Sequence, residues 1–235
     1  MSFEDTYWNT KNVAELYKAE NPEQAIIQPL IAKHVMGKNP EHILDYGCGD
    51  AFLAKILPDT IGIDLYDRNQ ESLEQVFSSL DKENCKRLFS EDEFPTDYYD
   101  CIVLSFVLVC IDNLDDQIRI FKKLRKSLKK SSGTLIITNS HPCFIQYDFT
   151  AFETELNTKN FNYFNNGKPY QVSIKQPNGN DPITFVDYQW QLSVWINAAI
   201  DSGFTLQEMV EIPDEPYKDL DENKLYPPFL ILKFN

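Results

Sequence analysis

Short apolar runs and longer stretches of helical periodicity take turns along most of this chain. Residues 6–36 read as helical: Ala14, Leu16 and Tyr17 make a short apolar patch, and Asn21-Pro22-Glu23 is a fresh helix start. Pro29 is expected to kink or split that helix ahead of Leu30, Ile31 and Val35. Ile43-Leu44 opens a short buried strand, followed by a glycine turn and a helix over 51–57 that Pro58-Asp59 stops. A second strand spans 61–64. Leu73, Val76, Phe77 and Leu80 then recur at 3.6-residue spacing and predict an amphipathic helix over 69–80. Residues 86–89 and 99–105 give a third and a fourth strand. Asn113 caps the next helix, whose buried face is Leu114, Ile118, Phe121, Leu124 and Leu128. Ser132-Gly133 turns the chain into a fifth strand over 134–138. Strands alternating with helices predict a parallel sheet in an α/β domain.

That rhythm stops at residue 142. Residues 142–187 are rich in aromatics but poor in helical periodicity. Two alternating runs, 170–175 and 183–188, flank Asn178-Gly179, a hairpin signal. This segment is expected to be an inserted cap. Regular structure then resumes: Leu192, Trp195, Ala199 and Ile200 line a helix ended by Ser202-Gly203, and 204–212 and 229–234 read as closing strands.

The stretch Ile43-Leu44-Asp45-Tyr46-Gly47-Cys48-Gly49-Asp50-Ala51-Phe52-Leu53 carries the strongest chemical signal. Gly47 and Gly49 permit a sharp turn and close ligand approach, and the helix behind them offers unpaired N–H groups. Asp64 closes the next run, Ile61-Gly62-Ile63-Asp64, 19 residues after Asp45. An acid at about that spacing suits a ribose lying across two parallel strands. A dinucleotide fingerprint would need a third glycine where Phe52 stands, and a P-loop would need a Lys that is missing. The remaining reading is a nucleoside without phosphates, held by its ribose hydroxyls and an amino-acid tail.

On those residues, D-x-G-C-G-D-A with a strand-final Asp, the chain resembles the class I S-adenosylmethionine (SAM) dependent methyltransferases, in the subgroup acting on small molecules. Ala51 stands at the family's usual third glycine. The resemblance implies a single domain over 1–235 with a Rossmann-like seven-stranded, mostly parallel sheet, an antiparallel last strand and flanking helices. It also implies an N-terminal helical lid (1–36) and leaves the aromatic-rich cap (142–187) after strand five unaccounted for. The implied cofactor is SAM, with S-adenosylhomocysteine as product. Implied donor contacts are Tyr17, Asp45, Gly47, Cys48, Gly49, Asp64, Leu65, Ser90, Glu91, Ser105 and Phe106. Asp64 would take both ribose hydroxyls. Ser90, or the backbone around Glu91, would meet the adenine where the family usually has an Asp, just before Phe94-Pro95. Tyr7, Trp8, His141, Phe144 and Tyr188 are the expected substrate contacts.

Composition narrows the partners. The net charge of −14 opposes a phosphate backbone, so nucleic acid is not an expected partner. The lysines and Arg125 near the end of the helix that follows Asn113 fit a solvated helix C-terminus. Five scattered cysteines, none in a C-x-x-C pair, suggest reduced thiols and no metal site. No apolar run approaches about 18 residues, so no membrane span is expected. A cytoplasmic monomer or homodimer is the expectation.

SAM is an activated donor, so alignment and water exclusion carry most of the catalytic burden. His141 is the candidate base if the acceptor must lose a proton, because it follows a central strand and titrates near neutrality. The expected activity is methyl transfer to an O or N nucleophile of a small molecule by in-line displacement. An RNA or protein methyltransferase and a non-catalytic SAM-binding regulator are the alternatives.

Overall fold

A computed structural model describes residues 22–143, 152–154, 162–174, 182–212 and 227–235. The chain runs α1 (Pro22–Met36), β1 (His42–Tyr46), α2 (Phe52–Ile56), β2 (Gly62–Tyr66), α3 (Gln70–Ser79), β3 (Cys85–Arg87) and β4 (Cys101–Ser105). It continues through α4 (Leu114–Ser127), β5 (Thr134–Ser140), β6 (Phe152–Thr154), β7 (Lys168–Ile174), β8 (Ile183–Gln189), α5 (Leu192–Asp201), β9 (Leu206–Ile212) and β10 (Phe229–Phe234).

Seven strands form one sheet in the order β3-β2-β1-β4-β5-β10-β9. β1 to β5 are parallel, and β10 runs antiparallel to both β5 and β9. This is the expected Rossmann-like arrangement with an antiparallel last strand.

Alternation along each strand divides the core in two. Ile43, Ile63, Leu65, Cys101, Val103 and Ile136 face α1, α2 and α3. Leu44, Ile102, Leu104, Leu135, Ile137 and Leu232 face α4 and α5, where Phe121, Leu124 and Trp195 are buried. Both faces are covered, which is why these strands read as continuous apolar runs.

Two details differ from the sequence reading. α1 passes through Pro29 unbroken, because Ile27, Ile31 and Val35, one turn apart, anchor it on the core side while Pro29 lies exposed. β2 does not stop at Asp64. It continues through Leu65 and Tyr66, in register with Asp45 and Tyr46.

A second, three-stranded sheet, β6-β7-β8, occupies part of the segment expected to be a cap. β7 and β8 form the antiparallel hairpin that the alternating runs predicted, pairing Tyr170 with Asp187 and Val172 with Phe185. Tyr170, Val172, Ile174 and Phe185 join the core cluster that also holds Ile212 and Phe229. β8 packs against residues 108–110 after β4, and the Trp190 indole N–H donates to the Ile111 carbonyl at 2.9 Å.

Candidate active site at the carboxyl edge of the sheet

Between β1 and α2 the backbone folds back on itself. Gly47, Gly49 and Ala51 all take positive φ, at 73°, 52° and 54°. The N–H groups of Gly47 and Cys48 donate to the Tyr66 carbonyl at 2.7 and 3.0 Å, and Ala51 N–H donates to the Cys48 carbonyl at 2.7 Å. A Cβ on Gly47 would stand 2.5 Å from Val107 Cγ2, so only glycine fits between this turn and the end of β4. Ala51 occupies the left-handed region that the family's third glycine would fill. Phe106, just past β4, is also left-handed at φ 56°. Strain on both sides of one crevice is common at ligand sites.

Three carboxylates surround the turn. Asp45 is 1% exposed, and neither of its oxygens has a hydrogen-bond partner among the described residues. Burial holds its carboxyl well above the usual range, and Asp50 and Asp67 push it further the same way. Asp50 pairs with Lys55 at 3.1 Å. Asp67 follows β2 directly. Its carboxylate accepts the Gly49 N–H at 3.0 Å and the Asn69 N–H at 2.8 Å. Burial raises its pKa, and those two N–H groups draw it back.

Asp64 lies elsewhere. In a parallel pair, facing residues point the same way, and Asp45 faces Leu65. Asp64 therefore leaves the opposite side of the sheet, where its Oδ2 accepts the Tyr99 hydroxyl at 2.6 Å. Tyr99 precedes β4, beyond the amino edge. The acid at the carboxyl edge is Asp67, 22 residues after Asp45. Its sequence signal was Asn69, the cap of α3, whose side chain accepts the Ser72 N–H. An acid two residues before a helix cap must sit at the strand's end.

The other expected contacts divide in the same way. Cys48 is buried within the turn, and burial pushes its thiol pKa well up. Leu65 is fully buried core. Ser105 and Phe106 are half-buried at the end of β4, and the Phe106 ring meets Phe229 edge-on at 5.7 Å. Ser90 is exposed, with its backbone N–H on Glu93. Glu91 accepts the Tyr46 hydroxyl and the Arg119 guanidinium, each at 2.6 Å. Tyr188 is 5% exposed among Leu108, Val109 and Trp190, on the side of β8 away from Asp187. Tyr7, Trp8, Tyr17 and Phe144 lie outside the described residues.

His141 is at the carboxyl edge, as expected, but both ring nitrogens are engaged. Nδ1 accepts the Cys143 N–H at 3.1 Å, and Nε2 faces Glu211 Oε1 at 3.2 Å. Burial lowers its pKa, and Glu211 partly opposes that. The neutral Nε2–H tautomer satisfies both contacts and leaves no lone pair for a substrate proton. The geometry is that of a loop lock, not a poised base.

A methyltransferase domain family model matches residues 18–167. The chain belongs to that family. It is an SAM-dependent methyltransferase. It is similar to N-demethylindolmycin N-methyltransferase from Streptomyces griseus, 23% identical over 241 residues, covering 90% of this chain and 92% of that protein. The structure of the CcbJ methyltransferase from Streptomyces caelestis superposes with a TM-score of 0.67 at 14% identity, covering 98% of each chain. An SAM-dependent methyltransferase from Clostridium acetobutylicum gives 0.59 at 14% identity, covering 91% of this chain and 95% of that one. These structural likenesses carry the fold.

The residues present suit the cofactor. The unpartnered Asp45 carboxylate offers a place for an ammonium group, and Asp67 presents a carboxylate at the mouth of a turn that a Cβ would fill. Among the described residues, no helix is long and apolar enough to cross a membrane, and no cluster of three or more His, Cys, Asp or Glu could hold a metal ion.

Proposed function

We propose that this methyltransferase acts on a nitrogen or oxygen nucleophile of a small molecule. The carrying observation is the cap sheet: Tyr170, Val172 and Phe185 share one core cluster with Phe229 at the carboxyl edge, next to Phe106. Such a lid suits a compact apolar or planar acceptor, and the net charge of −14 disfavours a polyanion. The similarity to N-demethylindolmycin N-methyltransferase supports nitrogen as the first acceptor to test.

Bound SAM supplies a methyl group on a positively charged sulfur, already activated toward in-line displacement. Asp45 takes the ammonium of its amino-acid end. Asp67, in place of Asp64, takes the ribose hydroxyls, because a carboxylate accepts two O–H bonds at once. Gly47 and Gly49 keep the backbone close, and Ser105 and Phe106 border the reacting end. A neutral amine attacks the methyl through its lone pair and releases its proton to water after transfer, so no base is required from His141 for that acceptor.

The test is direct. Purified protein is incubated with SAM and a panel of heterocyclic amines and phenols, and products are read by mass. A 14-dalton gain on an amine, with stoichiometric S-adenosylhomocysteine, is the expected result. Methylation confined to RNA or protein would sink the proposal.

A further inference from the structure

Asp187 lies in the cap, on β8, and is 4% exposed. Alternate residues of a strand share a face, so Asp187 stands on the face that carries Phe185 and Gln189. Across the hairpin it pairs with Tyr170. Tyr170 and Phe185 belong to the core cluster that holds Phe229, with Phe106 packed against it. An acid is thus set into the apolar underside of the cap. Cys110 links it to the crevice: its Sγ lies 3.1 Å from the carbonyl oxygen of left-handed Phe106 and 4.0 Å from Asp187 Oδ1. Burial pushes the Cys110 thiol well above its ordinary pKa, and Asp187 and Asp67 push it further. The thiol is therefore within electrostatic reach of both the cap acid and the acid after β2. Gln189 adds a second acceptor. It is 2% exposed, its Nε2 donates to the Trp190 carbonyl at 3.4 Å, and its Oε1 has no hydrogen-bond partner among the described residues. A buried acceptor without a donor is costly. Two acceptors and two aromatic rings on one face match a ligand that presents N–H groups on a flat apolar body.

We propose that Asp187 is a catalytic residue that accepts an N–H of the acceptor amine and steadies the positive charge arriving on that nitrogen, with Gln189 Oε1 accepting a second N–H of the same molecule. The inference rests on the proposed small-molecule reading and narrows it to amines that carry at least one N–H. A carboxylate has about four lone-pair sites, so the incoming N–H joins the contacts Asp187 already makes. The nitrogen lone pair attacks the methyl carbon, the carbon–sulfur bond breaks, and its electrons stay on sulfur. Positive charge so moves from sulfur to nitrogen, and the methylated ammonium then releases a proton to water. A fixed carboxylate beside the nitrogen, in a site closed to water, favours that movement. A phenol must first become an anion, which the same carboxylate opposes.

The test measures kcat and KM on the panel of heterocyclic amines and phenols, with calorimetric S-adenosylhomocysteine affinity and circular dichroism as controls. Wild type should methylate primary and secondary amines in preference to phenols of the same ring. Asp187→Asn should lower kcat on amines by about ten- to a hundredfold, the scale of one hydrogen bond to a charged group, and leave S-adenosylhomocysteine affinity unchanged. Its activity on phenols should hold or rise. Gln189→Met should raise KM for amines and leave kcat alone. Wild type that methylates phenols and spares amines would overturn the inference without any variant, and leave the small-molecule reading standing. An unchanged kcat on amines in a folded Asp187→Asn would do the same. Wild type that methylates no member of the panel would overturn that reading as well.

Discussion

The Asp67 carboxylate accepts the backbone N–H of Gly49 at 3.0 Å, tying the end of β2 to the glycine turn after β1. This bond joins the two elements proposed to hold the methyl donor. Asp67 lies at the carboxyl edge, and Asp64 leaves the other side of the sheet toward Tyr99.

Half-buried Asp64 has its Oδ2 on the Tyr99 hydroxyl. Removing that hydroxyl in Tyr99→Phe leaves the carboxylate without this partner, at a cost of about 0.5–1.5 kcal/mol. The melting temperature should fall by about 2–4 °C for each kcal/mol lost. Calorimetric SAM affinity should not change. A large loss of affinity in a folded variant would return Asp64 to the donor site.

Asp45 should make the ligand-free protein less stable at neutral pH than in mild acid. Burial raises its folded pKa, so the unfolded chain ionises first as pH rises and stability falls from that point until the folded group also ionises. Asp45→Asn should therefore raise the melting temperature near pH 7, have little effect near pH 3, and abolish SAM binding. Thermal scans across pH with and without SAM measure all three.

The opposite sign applies to His141. Its folded pKa is lowered, so its contribution is present above the unfolded value and lost as pH falls through about 6.5. His141→Gln should flatten the decline in stability on the acid side and leave kcat within about threefold. A loss of about a hundredfold or more, the scale of general-base catalysis, would restore His141 as the base.

Most of the fold was legible because it rests on local rhythm. The β7–β8 hairpin was marked by alternating runs about Asn178-Gly179, and the strands of the main sheet by apolar runs between helical stretches. What could not be read depended on distant partners. An acid after Ile61-Gly62-Ile63 looks like the end of a strand, yet Tyr99, 35 residues on, lets the strand run past it. His141 looked like a free base until Glu211, 70 residues on, met its ring. The turn was legible from its two glycines, although Tyr66, Asp67 and Val107 close on it from later in the chain.

The division between the two acids is best tested by titrating SAM into Asp67→Ala and Asp64→Asn side by side in a calorimeter, with circular dichroism to confirm folding. Asp67→Ala should give no measurable heat, and Asp64→Asn should keep near wild-type affinity with reduced stability. Retained binding in a folded Asp67→Ala, with binding lost in a folded Asp64→Asn, would contradict it.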